Sequence, residues 1–506
     1  MPDRPLLHLA ALLLPLSVTV AALFARFAPE PYMDEPFHVP QTQRWCAGRW
    51  REWDPKITTF PGLYFFGVAA GRLEAALLAA VGSAPARACG TIALRSVNLV
   101  FAAACLPLFY GAARALDPGR TRAQLLLMTA ACFLFPLHFF FTFLYYTDVP
   151  SLFFVLASYL AAVPYQRYRL GAALGSAAVL MRQTNAVWVA FALAAAALNR
   201  CLPSDGGPKQ LDGGASSHRG SIGGGDSSGG SGTRDRYGDA ASGSSPASRG
   251  PAALLGMLPD ELARCARQAW LLRRQLAADL WPLAAVVAAF AAFVVANGGI
   301  VVGDKAHHAP VRHLAQPLYC LLYCTAYLAP ALWSPAALRS AAQTLRNSLR
   351  SAPGRTAAAL AGATAAATAA VHTGTLVHPF LLADNRHYTF YIWRRLVNAT
   401  PWARYALLPA YLYAGWAAAA ALSHRRATWV LALAGAAAAV LVPAHLVELR
   451  YFTVPFYMLF LHMRTPPPAA LAAIVALFAA ANAATIYLFL ARPYAWPDGS
   501  VARFMW

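Results

Sequence analysis

Apolar runs of about twenty residues recur along this chain, each almost free of charge: 6–24, 281–302, 356–377, 429–447 and 469–490. That is the length a helix needs to cross the hydrocarbon core of a bilayer. In lipid every backbone polar group must be satisfied within the protein, so only helices or closed barrels span it. These Ala/Leu-rich runs lack the apolar–polar alternation of barrel strands. The predicted fold class is therefore an all-α, polytopic membrane protein. Composition agrees: 58% of residues are hydrophobic and only 12% charged, about half the charged fraction of a soluble domain. Too few charges remain to coat a water-facing surface.

The first run follows one Arg after Met1 and leads into Arg26, Phe27, Ala28 and Pro29, with no small-residue cleavage site. It reads as a retained anchor and not as a signal peptide. The net charge of +20 suggests nucleic acid at first sight, but no basic stripe with interleaved aromatics occurs in a polar segment. The arginines fall in short clusters at 114–122, 166–169, 339–355 and 424–426, the pattern of cytoplasmic loops. Nucleic acid is excluded as a partner; the bilayer is the expected one. The eight cysteines are scattered, mostly in apolar runs, where they behave as small hydrophobes. No disulfide framework is expected from their spacing.

Residues 204–250 are Gly/Ser-rich and aperiodic; such a stretch cannot bury a core. The chain then divides into an N-terminal membrane half, 1–198, a cytoplasmic linker, 199–280, with disorder expected at 204–250, and a C-terminal membrane half, 281–506. The N-terminal half carries a polar loop at 25–60 and a segment at 61–82, interrupted by Arg72 and Glu74, that reads as a juxtamembrane helix. The C-terminal half carries polar loops at 303–316 and 378–400. With the Arg clusters on one side, the acid-containing segments fall on the other: 31–60, 145–151, 303–316, 378–395 and 448–451.

Those segments hold the chemistry. Tyr32-Met33-Asp34-Glu35-Pro36-Phe37-His38 puts two carboxylates at a membrane surface, where charge is costly unless used or solvated. A carboxylate beside an attacking sugar hydroxyl is what general-base catalysis requires. Trp45, Trp50, Trp53 and Asp54 follow; aromatic and polar groups of this kind suit sugar faces and hydroxyls, and Trp also suits the membrane interface. Asp148 sits at a span end. Arg182-Gln183-Thr184-Asn185 interrupts an apolar run, a functional marker by default. Asp304, Lys305, His307 and His308 form a cation-rich group. The two histidines are adjacent, so they do not share a helix face as a metal pair does, and hydrogen bonding or phosphate contact is preferred. Asp384-Asn385-Arg386-His387-Tyr388 is the densest cluster, and Glu448-Leu449-Arg450-Tyr451 places an ion pair at a span boundary. No phosphate-cradling loop or dinucleotide fingerprint is present; no metal and no cofactor are expected.

Taken together these strings resemble the dolichyl-phosphate-glucose-dependent α-1,2-glucosyltransferases of the endoplasmic reticulum. The resemblance rests on Tyr32 to His38, Trp53-Asp54-Pro55-Lys56-Ile57-Thr58-Thr59, Pro61-Gly62-Leu63-Tyr64, Arg182 to Asn185, Gly303 to His308, Leu382 to Tyr391, Glu448 to Tyr451 and Arg503-Phe504-Met505-Trp506. It covers nearly the whole chain outside 204–250. It implies a C-type (GT-C) glycosyltransferase bundle of roughly 11–14 transmembrane helices with luminal catalytic loops. It implies transfer of glucose from dolichyl-phosphate glucose to the diglucosylated dolichyl-diphosphate oligosaccharide, with inversion, in a multi-pass protein of the endoplasmic reticulum membrane. The base maps onto Asp34 or Glu35. Substrate contacts map onto His38, Trp53, Asp54, Asp148, Arg182, Gln183, Asn185, Asp304, Lys305, His307, His308, Asp384, Asn385, Arg386, His387, Tyr388 and Arg450. Two other readings are a dolichyl-phosphate-mannose-dependent mannosyltransferase and, in another class, a polytopic transporter or channel regulator.

Overall fold

A computed structural model describes residues 4–82, 89–202, 251–305 and 309–506, with the backbone path alone for 251–255. The expected linker disorder at 204–250 and the substrate contacts expected of His307 and His308 lie outside the described residues. Helices dominate. The N-terminal stretch comprises α1 (Arg4–Phe27), α2 (Glu35–Cys46), α3 (Gly62–Ala80), α4 (Thr91–Leu116), α5 (Arg122–Leu134), α6 (Pro136–Phe141), α7 (Asp148–Ala162), α8 (Tyr168–Met181) and α9 (Asn185–Cys201). The C-terminal stretch comprises α10 (Pro251–Leu271), α11 (Arg273–Asn297), α12 (Gln316–Tyr327), α13 (Ala329–Leu332), α14 (Pro335–Ser351), α15 (Pro353–Gly374), α16 (Pro379–Ala383) and α17 (Tyr388–Ile392). It continues through a π-helical turn at Trp393–Val397, α18 (Ala403–Ala406), α19 (Leu408–Ala421), α20 (Ala427–Leu441), a 3₁₀ turn at Leu449–Phe452, α21 (Thr453–His462) and α22 (Pro468–Ala491). A short hairpin, β1 (Tyr494–Ala495) with β2 (Val501–Ala502), closes the described chain.

Local chemistry sets the boundaries. Thr121 and Gln124 form a reciprocal capping box at the start of α5, satisfying donors that a helix leaves open. Proline opens α6, α14, α15 and α22, where its missing N–H costs nothing. Gly298 ends α11 in the left-handed conformation. The polar break Arg182-Gln183-Thr184 separates α8 from α9.

Among the described residues α1, α3, α4, α11 and α22 are long and apolar enough to cross a membrane, and α5, α7, α8, α9 and α20 are shorter apolar helices. The outer surface is apolar; α1 alone exposes Leu7, Leu12, Leu16 and Leu23, as suits contact with lipid. Inside, aromatic side chains from both stretches share one core. Phe135 stacks on Phe456 at 4.0 Å between ring centroids, Phe109 on Tyr457 at 5.2 Å, and Phe24 on Phe489 at 5.1 Å. Small residues allow close approach, as in other membrane bundles: on α3, a Cβ at Gly62, Gly67 or Gly71 would collide with Leu180 O, Tyr145 Oη or Cys89 Sγ respectively.

The bundle has two ends of different character. At one, Arg120 donates to Thr465 Oγ1 at 2.8 Å, Gln124 to Pro466 O at 3.2 Å, and Arg425 to Leu116 O at 3.2 Å. This end gathers the Arg clusters around 120 and 425. The acid-containing segments meet at the other end. One sequence expectation is corrected there: Cys46 and Cys89 form a disulfide. The cysteines lie 43 residues apart, and only the fold brings the end of α2 beside the turn that precedes α4, so spacing carried no signal.

Candidate functional site

The polar end is organised around Arg450, in the 3₁₀ turn between α20 and α21. Its guanidinium lies 3.1 Å from Asp34 Oδ2, 3.6 Å from Asp148 Oδ2 and 2.8 Å from Glu448 Oε2. It also packs over the rings of Phe141 and Tyr146, at 5.5 and 5.3 Å from their centroids. Asp148, the first residue of α7, is held in turn by Arg182 at 2.7 Å, and Arg182 lies over the Tyr451 ring. Three carboxylates thus face two guanidiniums, drawn from four regions of sequence.

Asp34 and Glu35 are neighbours with different surroundings. Met33 adopts a left-handed backbone (φ 60°), uncommon for a residue with a side chain and frequent at functional sites. Glu35 points into the core and is fully buried. Its carboxylate takes two bonds from Arg95 (2.8 and 2.6 Å), one from the Tyr145 amide (2.7 Å) and one from the Tyr32 amide (2.9 Å). Arg95 completes its own set with the carbonyls of Ala28 and Glu30. Every lone pair of that carboxylate is engaged. The Asp34 side chain keeps 39% of its surface exposed, and its amide donates to Tyr146 Oη at 2.9 Å. Burial pushes the Asp34 carboxyl up, but Arg450 and His38 outweigh it and hold the group below the ordinary carboxylate value.

Asp34 opens on a cavity of about 410 Å³, within the range of small-molecule sites. Met33, Glu448 and Arg450 line it, together with Asp384, Arg386, His387, Trp496 and Trp506. Asp384 pairs with Arg386 through bonds of 2.8 and 2.7 Å. Burial raises the Asp384 carboxyl, and these bonds bring it below its usual value. Arg386 lies over Tyr32 and Trp496. A second, small cavity on the other side of Arg450 is lined by Asp148, Arg182, Asn185 and Trp188.

The remaining expected residues divide into several groups. Tyr388 backs the larger cavity, its ring 4.9 Å from Trp506. His38 is buried with its ring nitrogen 2.8 Å from Tyr64 Oη, and burial pulls its pKa down. Asn185 bonds to Ser151 Oγ and Ala178 O, both at 2.7 Å. Gln183 ties the α8–α9 turn to Thr58 O. Trp53 packs among Trp45 and Tyr64. Asp54 shapes the adjoining turn, accepting from the Lys56 amide. Asn385 receives Tyr494 Oη and Trp496 Nε1. Asp304 and Lys305 lie in the loop after α11, whose Gly303 backbone presses on the carbonyls of Pro55 and Ile57; the Lys305 amine caps Asn297 O. Neither is among the residues lining the two cavities. Sequence reasoning did not assign site roles to Trp496, Trp506, Tyr146 or Arg95. Arg95 carried a signal, a lone charge in the first turns of an apolar helix.

The DIE2/ALG10 family pattern matches residues 28–461. A protein of Arabidopsis thaliana is 38% identical, covering 97% of this chain and 97% of its own length. A Rattus norvegicus protein is 33% identical over 97% and 96% of the two chains, and a Homo sapiens protein 32% over the same shares. All three are called Dol-P-Glc:Glc(2)Man(9)GlcNAc(2)-PP-Dol alpha-1,2-glucosyltransferase. No solved structure matches the chain. With a family pattern spanning most of its length, and relatives alike from end to end, the chain belongs to the DIE2/ALG10 family.

Proposed function

We propose that this protein transfers glucose from dolichyl-phosphate glucose to the diglucosylated dolichyl-diphosphate oligosaccharide, forming an α-1,2 linkage. The relatives' names supply donor, acceptor and linkage; they give no support to mannose transfer or transport. The observation that carries the chemistry is the Asp34–Arg450 pair on the wall of the larger cavity. Asp34 is the partly open carboxylate and is held ionised, as a general base must be before reaction. It takes the proton of the attacking acceptor hydroxyl. The oxygen bonds to the anomeric carbon as the bond from that carbon to the phosphate oxygen breaks, and the electron pair leaves with dolichyl phosphate. A β-linked donor and an α-linked product require a single displacement with inversion. Arg182 and Arg450 stabilise the departing phosphate. Asp148 orients both guanidiniums, and Glu448 orients Arg450. Glu35, saturated by Arg95 and two amides, positions the loop and does not act as base. Asp384 and Arg386 take acceptor hydroxyls.

The protein resides in the endoplasmic reticulum membrane with this site facing the lumen. Two features support that placement: Arg clusters gather at the opposite end, as cytoplasmic loops do, and the Cys46–Cys89 disulfide lies at the site's end, where an oxidising compartment preserves it. Complementation tests the activity. Cells lacking the terminal glucosyltransferase are given this chain, and their lipid-linked oligosaccharide is sized. A shift from the two-glucose to the three-glucose species is expected. No shift, with the protein present in the membrane, contradicts the assignment.

A further inference from the structure

The segment from Tyr494 to Trp506 contributes to the cavity wall, and several elements fix it there. Met505 N donates to Arg386 O at 3.0 Å, and Tyr388 N to Met505 O at 3.3 Å. A His387 ring nitrogen lies 2.7 Å from Trp506 O. The Tyr32 hydroxyl donates to Arg503 O and accepts from Arg503 N, and the Arg503 guanidinium reaches Phe27 O and Phe489 O. The segment is thereby joined to the loop preceding α2, to the 384–388 stretch and to the end of α22. Its two indoles line the cavity but differ in one respect. Trp496 Nε1 is used, donating to Asn385 Oδ1 at 3.2 Å. Trp506 Nε1 is buried with no hydrogen-bond partner, although its ring is held against Tyr388 and Tyr327. A buried, unpaired donor in a folded protein calls for an explanation.

Charge on this wall indicates what it receives. Asp34, Asp384 and Glu448 stand against Arg386 and Arg450. A phosphate calls for an excess of cations, and an isoprenoid chain calls for a wall without charges. A hexose, by contrast, is neutral. Its C–H face packs on an indole, and its hydroxyl edge bonds to carboxylate and guanidinium. We infer that this cavity is the acceptor-sugar subsite and that Trp506 is the platform on which the acceptor's outer glucose stacks. The inference rests on the transferase reading above and names which substrate occupies which side of Arg450: acceptor glucose against Asp34 and Trp506, donor phosphate toward Arg182. Trp506 is a positioning and specificity residue; it takes no part in bond making.

The test uses purified full-length protein with dolichyl-phosphate glucose and the two-glucose lipid-linked acceptor. Trp506→Ala is expected to raise the acceptor KM by about tenfold, and Trp506→Phe, which keeps a smaller stacking face, by about threefold. Donor KM and kcat at saturating acceptor stay near wild type in both. Binding is read separately by thermal shift: donor stabilises wild type and both variants, whereas acceptor stabilises Trp506→Ala far less than wild type. Equal rises in donor and acceptor KM, or an unchanged acceptor KM in Trp506→Phe, overturn the subsite. Should Trp506→Ala fail to accumulate, Trp506→Phe decides by the same two criteria. A wild-type protein that is stabilised by acceptor but transfers no glucose counts against the transferase reading instead, and the thermal shifts still judge the subsite.

Discussion

Two ionic clusters begin one residue apart and have different uses. The Glu35–Arg95 pair is closed: the carboxylate is fully buried with every lone pair engaged, and Arg95 gives its other bonds to the carbonyls of Ala28 and Glu30. The Asp34–Arg450 cluster is open. It carries one more carboxylate than guanidinium, borders a cavity, and includes an Asp148 oxygen with no hydrogen bond. A buried carboxylate with every lone pair engaged has none to lend to an incoming proton. A cluster with surplus charge at a cavity wall keeps groups that a ligand can engage. The comparison teaches that in a membrane enzyme the amount of charge does not mark the site; the state of its satisfaction does.

The largest way to break this contrast is Glu35→Gln. Removing one member of a buried pair leaves Arg95 uncompensated, an effect of about 3–5 kcal/mol. The variant is expected to lose its monodisperse peak in size exclusion and to melt well below wild type, with transfer falling in proportion to folded protein. A stable Glu35→Gln that is inactive would move catalysis onto Glu35. Next comes the disulfide, which ties α2 to the turn before α4, close to where Glu35 and Arg95 join the two helices. Cys46→Ser is expected to remove about 2–4 kcal/mol of stability, read as a lower melting temperature, while kcat of the folded fraction holds; a fall in kcat without a fall in melting temperature would contradict this. A shift in a pH profile sharpens the open cluster. Arg450 helps hold the Asp34 carboxyl down against burial, so in Arg450→Gln that carboxyl rises. The base must be ionised to act, and activity is lost as pH falls through its pKa. The acid limb of kcat/KM in the remaining activity therefore moves to higher pH. An acid limb that stays in place would separate Arg450 from the titration of Asp34.

Much of this architecture was legible in the sequence. Apolar length announced the helices, Arg clusters separated one end from the other, and the polar strings around Asp34, Asp148, Arg182, Asp384 and Arg450 met in space. The sequence could not distinguish Asp34 from Glu35. That distinction depends on a left-handed turn at Met33 and on an arginine 60 residues away. Nor could it separate groups that line a cavity from groups that brace a loop. Asn385 Oδ1 receives Trp496 Nε1, and Gln183 donates to Thr58 O, partners that only the fold supplies. Lys305 donates to a helix carbonyl, that of Asn297, a contact that residue type does not announce. The disulfide and the indole wall were invisible for the same reason: both arise where distant segments meet, and local spacing holds no record of that.

The most direct test of the account is glucose transfer by purified Asp34→Asn, measured with the two-glucose acceptor at saturating donor, beside a thermal shift with donor alone. The substitution preserves shape and removes the base. A loss of about 10²–10⁴-fold in kcat is expected, with melting temperature and donor stabilisation close to wild type. Transfer by Asp34→Asn at the wild-type rate would contradict it.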